Sequence, residues 1–266
     1  TPSAAASRGR SPIRNCLKYR VSAWKRHNNW LHSDAFLTTD PGVAMSRLAH
    51  FFHTISHLQR AQIKGRLLHF WHRRWRDPAK LQQLPPSPPP ELRGEPGPFL
   101  PPAGSPQLAA DLLLGNFRFL NETRELGQPI NWEAPGASPL WQENLHYHDW
   151  LWDLDFAQAT KLFDDWLKRV PPARGVVAWQ PYPVTVRLIN WCTFFLGRHR
   201  AETLAQAEFK VRLWHAFRQH AHFLSQSLEV HVGGHHLLEN GVALAFTGAY
   251  WAGEEAAAWR ALGLAV

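Results

Sequence analysis

From Trp141 to nearly the end of the chain, apolar positions return every three or four residues. That spacing lines side chains up on one face of an α-helix. Phe156, Ala159, Phe163, Trp166, Leu167 and Val170 form one stripe, which Pro171-Pro172 stops. Val184, Leu188, Trp191 and Phe195 form the next, with Gly197 near its end. Trp214, Phe217, Ala221, Leu224 and Leu228 form a third. Two further helices are predicted, from about His235 to Tyr250 and from about Glu254 to Leu262. Their short connections favour antiparallel neighbours. The predicted fold class is mainly α, with successive helical hairpins in an α/α toroid or a bundle.

Upstream the pattern changes. Leu112-Leu113-Leu114-Gly115 and Phe117-Arg118-Phe119-Leu120 are short apolar runs broken by Gly and Asn, which suit a small hairpin or an extended segment. Pro129, Pro135-Gly136 and Pro139 mark a loop. Residues 84–106 hold a dense proline tract, including Pro85-Pro86-Ser87-Pro88-Pro89-Pro90, which excludes a helix or a central strand. A connector that wraps the surface or spaces two parts is expected there, with an SH3-ligand role as the alternative. Before it, Leu48, Phe51, Phe52 and Ile55, then Ile63, Leu67, Phe70 and Trp71, predict two helices ended by Asp77-Pro78. Residues 1–40 show weak periodicity and read as disordered. The expected organisation is residues 1–40 as that segment, 41–83 as basic helices, 84–110 as linker and 111–266 as the helical domain.

Composition narrows the function. Apolar residues make up 45% and charged residues 19% of 266, which is globular. The 14 Trp against 4 Tyr have two readings: core packing between helices, or flat rings lining a sugar groove. The formal charge of +8 favours an acidic partner, whether nucleic acid, anionic membrane or polyanionic glycan. Much of the excess lies before residue 80, at Arg60, Lys64, Arg66, Arg73, Arg74 and Arg76, where a solvated basic face also accounts for it. Cys16 and Cys192 give no disulfide framework and no Cys-based zinc site. No run is long and apolar enough to span a bilayer, so no membrane insertion is expected. Thr1 to Asn15 lack the apolar stretch of a signal peptide.

Three constellations carry candidate chemistry. In Asn144-Leu145-His146-Tyr147-His148-Asp149-Trp150, helical geometry pairs Asn144 with His148 and His146 with Trp150. In Trp179-Gln180-Pro181-Tyr182-Pro183, followed by Arg187 and Asn190-Trp191, the prolines fix the approach to a helix. Arg187 and Asn190 project to one side of it. A guanidinium there suits a carboxylate or sulfate in a two-pronged contact, or else the end of another helix or an internal Asp. In Glu229-Val230-His231-Val232-Gly233-Gly234-His235-His236-Leu237-Leu238-Glu239-Asn240, two glycines allow close ligand approach. His235 and His236 fall at a helix start, where backbone N–H groups favour anions and lower an imidazole's proton affinity. A neutral His is therefore expected there, acting as base or hydrogen-bond donor. His231, His235 and Glu239 are four apart, but Gly233-Gly234 interrupts the helix and no His-Glu-x-x-His motif is present, so no metal is expected. No Walker loop, nucleophile elbow or dinucleotide fingerprint occurs, and no cofactor is expected.

Taken in order, these motifs resemble the N-terminal helical domain of the heparinase II/III family of polysaccharide lyases. The match runs over about residues 45–262 and includes Ser56-His57-Leu58 through Gln62-Ile63-x-Gly65-Arg66. The resemblance implies an incomplete (α/α) toroid, normally followed by a covalently linked antiparallel β-sandwich. It implies β-elimination on a uronic-acid-containing polysaccharide, heparin- or heparan-sulfate-like, met in the periplasm or outside the cell. His235 takes the position of the residue that neutralises the uronate carboxylate, where many relatives carry Asn, and His236 lies on the groove or base side. Asn144, His146, Tyr147, Trp179, Tyr182, Arg187 and Asn190 become substrate-binding candidates. The family's catalytic Tyr normally lies several dozen residues beyond the His motif, and Tyr250 is too near to match it. A C-terminally truncated domain, inactive alone, is thus expected. The alternative is a noncatalytic acidic-glycan-binding or exopolysaccharide-biosynthesis-associated module. A nucleic-acid binder fits less well, because the aromatic-polar motifs lie outside the most basic segment.

Overall fold

A computed structural model describes residues 77–93 and 105–266, all within the unit Gln59–Val266. The helices expected between Pro41 and Trp71, the basic cluster at 60–76 and the motif at 56–66 lie outside the described residues.

The described chain is mostly helical. It opens with a 3-10 turn, Pro78–Gln83, capped by the Asp77 carboxylate, which accepts the Ala79 N–H at 3.1 Å. The prolines that follow have no N–H to donate to a ladder, and side chains from farther along the chain bind this segment by its carbonyls. Gln219 donates to the Leu81 carbonyl at 3.2 Å and Arg218 to that of Pro85 at 2.7 Å. Farther on, the Arg93 N–H reaches the Tyr250 carbonyl at 2.7 Å and the Ala252 N–H that of Glu91 at 2.9 Å. This segment is therefore bound along the helices.

Helix α1, Pro106–Leu113, starts with proline in its first turn and buries Ala109 and Leu112, three residues apart. Leu112-Leu113, expected in an extended segment, instead complete this helix. The apolar run was too short to reveal its period, and the helix start lies inside the Pro-rich stretch. A hairpin follows as expected: β1, Asn116–Phe119, pairs antiparallel with β2, Glu122–Glu125. Leu120 and Asn121 both take positive φ at its turn, 53° and 65°, matching the right-handed strand twist.

Helix α2, Pro139–Tyr147, is capped by Ser138. It ends where His148 turns left-handed, with φ 59° and ψ 26°. The expected helical pairing of Asn144 with His148 and of His146 with Trp150 is therefore absent. His148 instead turns into the core, 0% exposed, with its Nδ1 accepting from Trp191 Nε1 at 3.0 Å. Helix α3, Phe156–Arg169, carries a capping box between Asp155 and Gln158. Helix α4, Pro181–Trp191, runs on into a π-helical segment, Cys192–Arg198. Helices α5, Arg200–Ala205, α6, Ala207–Ser225, α7, Gly234–Tyr250, and α8, Glu254–Leu264, complete the chain.

The core is aromatic. Nine of the ten Trp among the described residues are buried, which favours core packing over groove lining for most of them. Phe163 meets Trp191 edge-on at 5.0 Å and Phe195 at 5.2 Å, the arrangement that ring quadrupoles prefer. α7 packs closely on α8 through Gly241, Gly248 and Gly263. No helix of the described residues is long and apolar enough to cross a membrane.

Candidate functional site

The site is built where α2, α4 and the start of α7 meet. Gly233 and Gly234 both take positive φ, 65° and 58°, a region costly for any residue with a Cβ. The turn they close is held by the Glu229 carbonyl, which accepts the N–H groups of Val232 and Gly233, each at 2.9 Å. This geometry folds Glu229 back over the first turn of α7. Its carboxylate reaches His236, with Oε1 3.1 Å from Nδ1. Asn240, one turn farther along α7 and fully buried, ties the arrangement down. It accepts the Glu229 N–H at 2.8 Å, and donates to Glu229 Oε2 at 3.1 Å and to Thr185 Oγ1 at 2.9 Å.

Aromatic rings complete the corner. Tyr182, in the first turn of α4, lies over His236 with ring centres 4.3 Å apart, and meets His235 edge-on at 6.5 Å. Tyr147, from the last turn of α2, meets Tyr182 edge-on at 5.9 Å and donates its hydroxyl to Glu143 at 3.2 Å. His235 is exposed; Tyr182 and Glu143 are half-buried. Thus His235, His236, Tyr147 and Tyr182 come together among the expected site residues.

The others do not line this corner. Arg187 is 0% exposed, so it offers no fork to a solvent-borne carboxylate. It donates instead to the His146 carbonyl at 2.7 Å and the Ala178 carbonyl at 2.8 Å, with its guanidinium 4.5 Å from the centre of the Trp166 ring. Of the two sequence readings, the helix-end role is the one observed. Asn190 donates to the Tyr147 carbonyl at 2.9 Å. Two residues three apart on α4 therefore hold two successive carbonyls at the end of α2, which the helix itself leaves unpaired. His146 is buried, accepting from Trp166 Nε1 at 3.1 Å. Trp179 is buried against His220 at 4.4 Å. Asn144 turns back on its own helix, donating to the Leu140 carbonyl at 2.7 Å. Arg187, Asn190, His146 and Trp179 form the backing of the corner.

The electrostatics correct one expectation. A neutral imidazole was expected at this helix start, yet the His236 pKa is raised. Burial works to lower it, but the Glu229 hydrogen bond and the charges of Glu229, Glu239 and Glu143 outweigh that. Burial raises the Glu143 carboxyl, partly offset by its Tyr147 hydrogen bond and by His236. Glu143, Glu229, Thr185 and Asn240 escaped the sequence reading as site residues. Glu229 and Asn240 stood within the third motif, but only the glycine turn shows that they meet. His231 lies in that turn rather than on α7 with His235 and Glu239. Among the described residues no three His, Cys, Asp or Glu side chains are placed to hold a metal ion.

The net charge also divides unevenly. Before Asp77 there are 14 Lys and Arg against 2 Asp and Glu; from Asp77 to Val266 there are 15 against 19, a net −4 with His neutral. The site-bearing part of the chain is acidic.

No protein-family model matches this chain, and no curated protein matches it. Among solved structures, the heparan sulfate lyase HepC from Pedobacter heparinus is similar to it, with TM-score 0.50 and 16% identity over 76% of this chain and 33% of the lyase. A mutant of that lyase gives TM-score 0.49 and 18% identity over 77% of this chain and 34% of the lyase. The chain thus spans about a third of the length of these solved structures. The likeness establishes the fold, a helical domain resembling the N-terminal domain of the lyase.

Proposed function

We propose that this chain supplies the carboxylate-recognising helical domain of a polysaccharide lyase that acts by β-elimination on a uronic-acid-containing glycan. The observation that carries this reading is the corner itself. Two imidazoles and two phenols meet at one glycine-opened helix start, tied down by Glu229 and Asn240. Neutralising a uronate carboxylate stabilises the enolate-like charge that forms as the C5 proton leaves. His235, exposed at the helix start, is the neutralising contact. His236 adds a second donor, and the half-buried Tyr182 ring, backed by buried Tyr147, offers a flat face to the sugar.

The remaining proton transfers are assigned to groups outside this corner. A covalently linked β-sandwich and a further Tyr would complete the site, and the periplasm or the cell exterior is where such a glycan is met. Residues 1–266 alone are expected to bind uronans with almost no turnover. The test is to mix the purified chain with heparan sulfate, hyaluronan and alginate. Binding is followed calorimetrically, and elimination by the ultraviolet absorbance of the unsaturated product. Binding that His235→Ala abolishes supports the reading. Failure to bind any of the three overturns it, and robust turnover overturns the expected inactivity.

A further inference from the structure

We infer that Glu229 is a positioning residue for His236: it holds the imidazole by Nδ1 so that Nε2 is presented as a hydrogen-bond donor to a sugar carboxylate. This rests on the carboxylate-recognition reading above and gives that site a pH-dependent grip.

The geometry carries the argument. A carboxylate oxygen accepts, so the His236 Nδ1 that lies 3.1 Å from Glu229 Oε1 must bear a proton. In the neutral ring Nε2 then has only a lone pair, and cannot donate to another carboxylate. Protonation adds Nε2–H and a positive charge together. Glu229 is not a mobile side chain that happens to lie nearby. Buried Asn240 fixes both its carboxylate and its N–H, and Thr185 of α4 fixes Asn240. The loop main chain and the side chain are therefore set together.

The surroundings decide when an anion is welcome. Glu143 acts on His236 from α2, with Tyr147 bonded to that carboxyl; Tyr182 lies over the ring from α4, and His235 and Glu239 share α7 with it. With the ring neutral, the corner shows an incoming carboxylate mainly its own acidic groups. With the ring protonated, that repulsion is offset and a directed donor exists. Carboxylate binding is thus strong below the His236 pKa, which Glu229 raises, and weakens about tenfold per pH unit above it.

Ring nitrogen NMR on the full chain tests this, beside binding of an unsulfated uronate oligosaccharide across pH. The wild-type ring is expected as the Nδ1–H tautomer above its midpoint, with binding lost through that midpoint. Glu229→Gln is expected to lower both midpoints by about one pH unit, whereas Glu239→Gln leaves the tautomer unchanged. An Nε2–H tautomer in the wild type overturns the inference without need of any variant. An unchanged midpoint in a folded Glu229→Gln protein does the same. If the tautomer is as expected but the oligosaccharide binds at no pH, carboxylate recognition fails and the inferred ligand fails with it. The ring measurement then still identifies which of the two claims fell.

Discussion

The guanidinium of Arg187 donates to the main-chain oxygen of His146 at 2.7 Å, so a residue that looks like a ligand-binding arginine is the fastener of a helix end. Asn190 holds the next carbonyl, that of Tyr147. Together they set where α2 stops, and so where the Tyr147 ring stands relative to Tyr182.

Arg187→Lys is expected to destabilise the fold by about 2 kcal/mol or more. Lysine cannot span both the His146 and Ala178 carbonyls or lie flat on Trp166, and buried acceptors left unpaired are costly. Denaturant unfolding of variant and parent measures this. A loss below about 0.5 kcal/mol would contradict the clamp.

Acid should weaken the fold through buried histidines. Burial holds the His146 pKa down at about 3, with the Arg187 charge adding to it, and drives His148 and His220 well below their ordinary value. The unfolded chain takes up these protons near pH 6.5 while the folded chain does not. Stability is therefore whole above about pH 6.5 and falls as pH drops toward about 3, by at most about 1.4 kcal/mol per pH unit for each such histidine. Melting temperatures should hold from pH 7.5 to about 6.5 and fall steadily from there to about pH 4, and a flat profile would exclude neutral buried histidines.

Gly248→Ala is expected to cost about 1–3 kcal/mol by overpacking. A Cβ there would lie 2.6 Å from both the Cβ and the main-chain nitrogen of Arg260 and against the Ala256 carbonyl, where backbone has little room to move. Thermal unfolding reads the loss. An unchanged melting temperature would mean that α7 and α8 slide apart freely.

Tyr182→Ala removes the ring lying over His236 and meeting Tyr147. Because Tyr182 is half-buried, the melting temperature should move little while uronan affinity drops about tenfold, the order of one ring contact. Equal affinity in the variant would remove Tyr182 from the binding face.

Period and punctuation made most helices legible. The stripe from Phe156 to Val170, with Pro171-Pro172 after it, corresponds to α3, and the His235–Tyr250 and Glu254–Leu262 expectations to α7 and α8 within two residues at each end. Local sequence sufficed there because an amphipathic helix writes its buried face at a fixed spacing. Gly233-Gly234 likewise marks the start of α7.

Contacts between distant residues were another matter. Arg187 and Tyr182 sit in the same motif, yet one is sealed among Trp166, Trp179 and Trp191 while the other faces the corner. Nothing in their spacing distinguishes them, because burial depends on which helices pack above each face. The same holds for His236. Its place at a helix start pointed to a neutral ring, and only the turn that returns Glu229 to it, with Asn240 holding both, reverses that sign. The sequence by itself determined the helices and the residues at their ends. Tertiary structure decided which of those residues meet, since side-chain charge and exposure are set by neighbours far away along the chain.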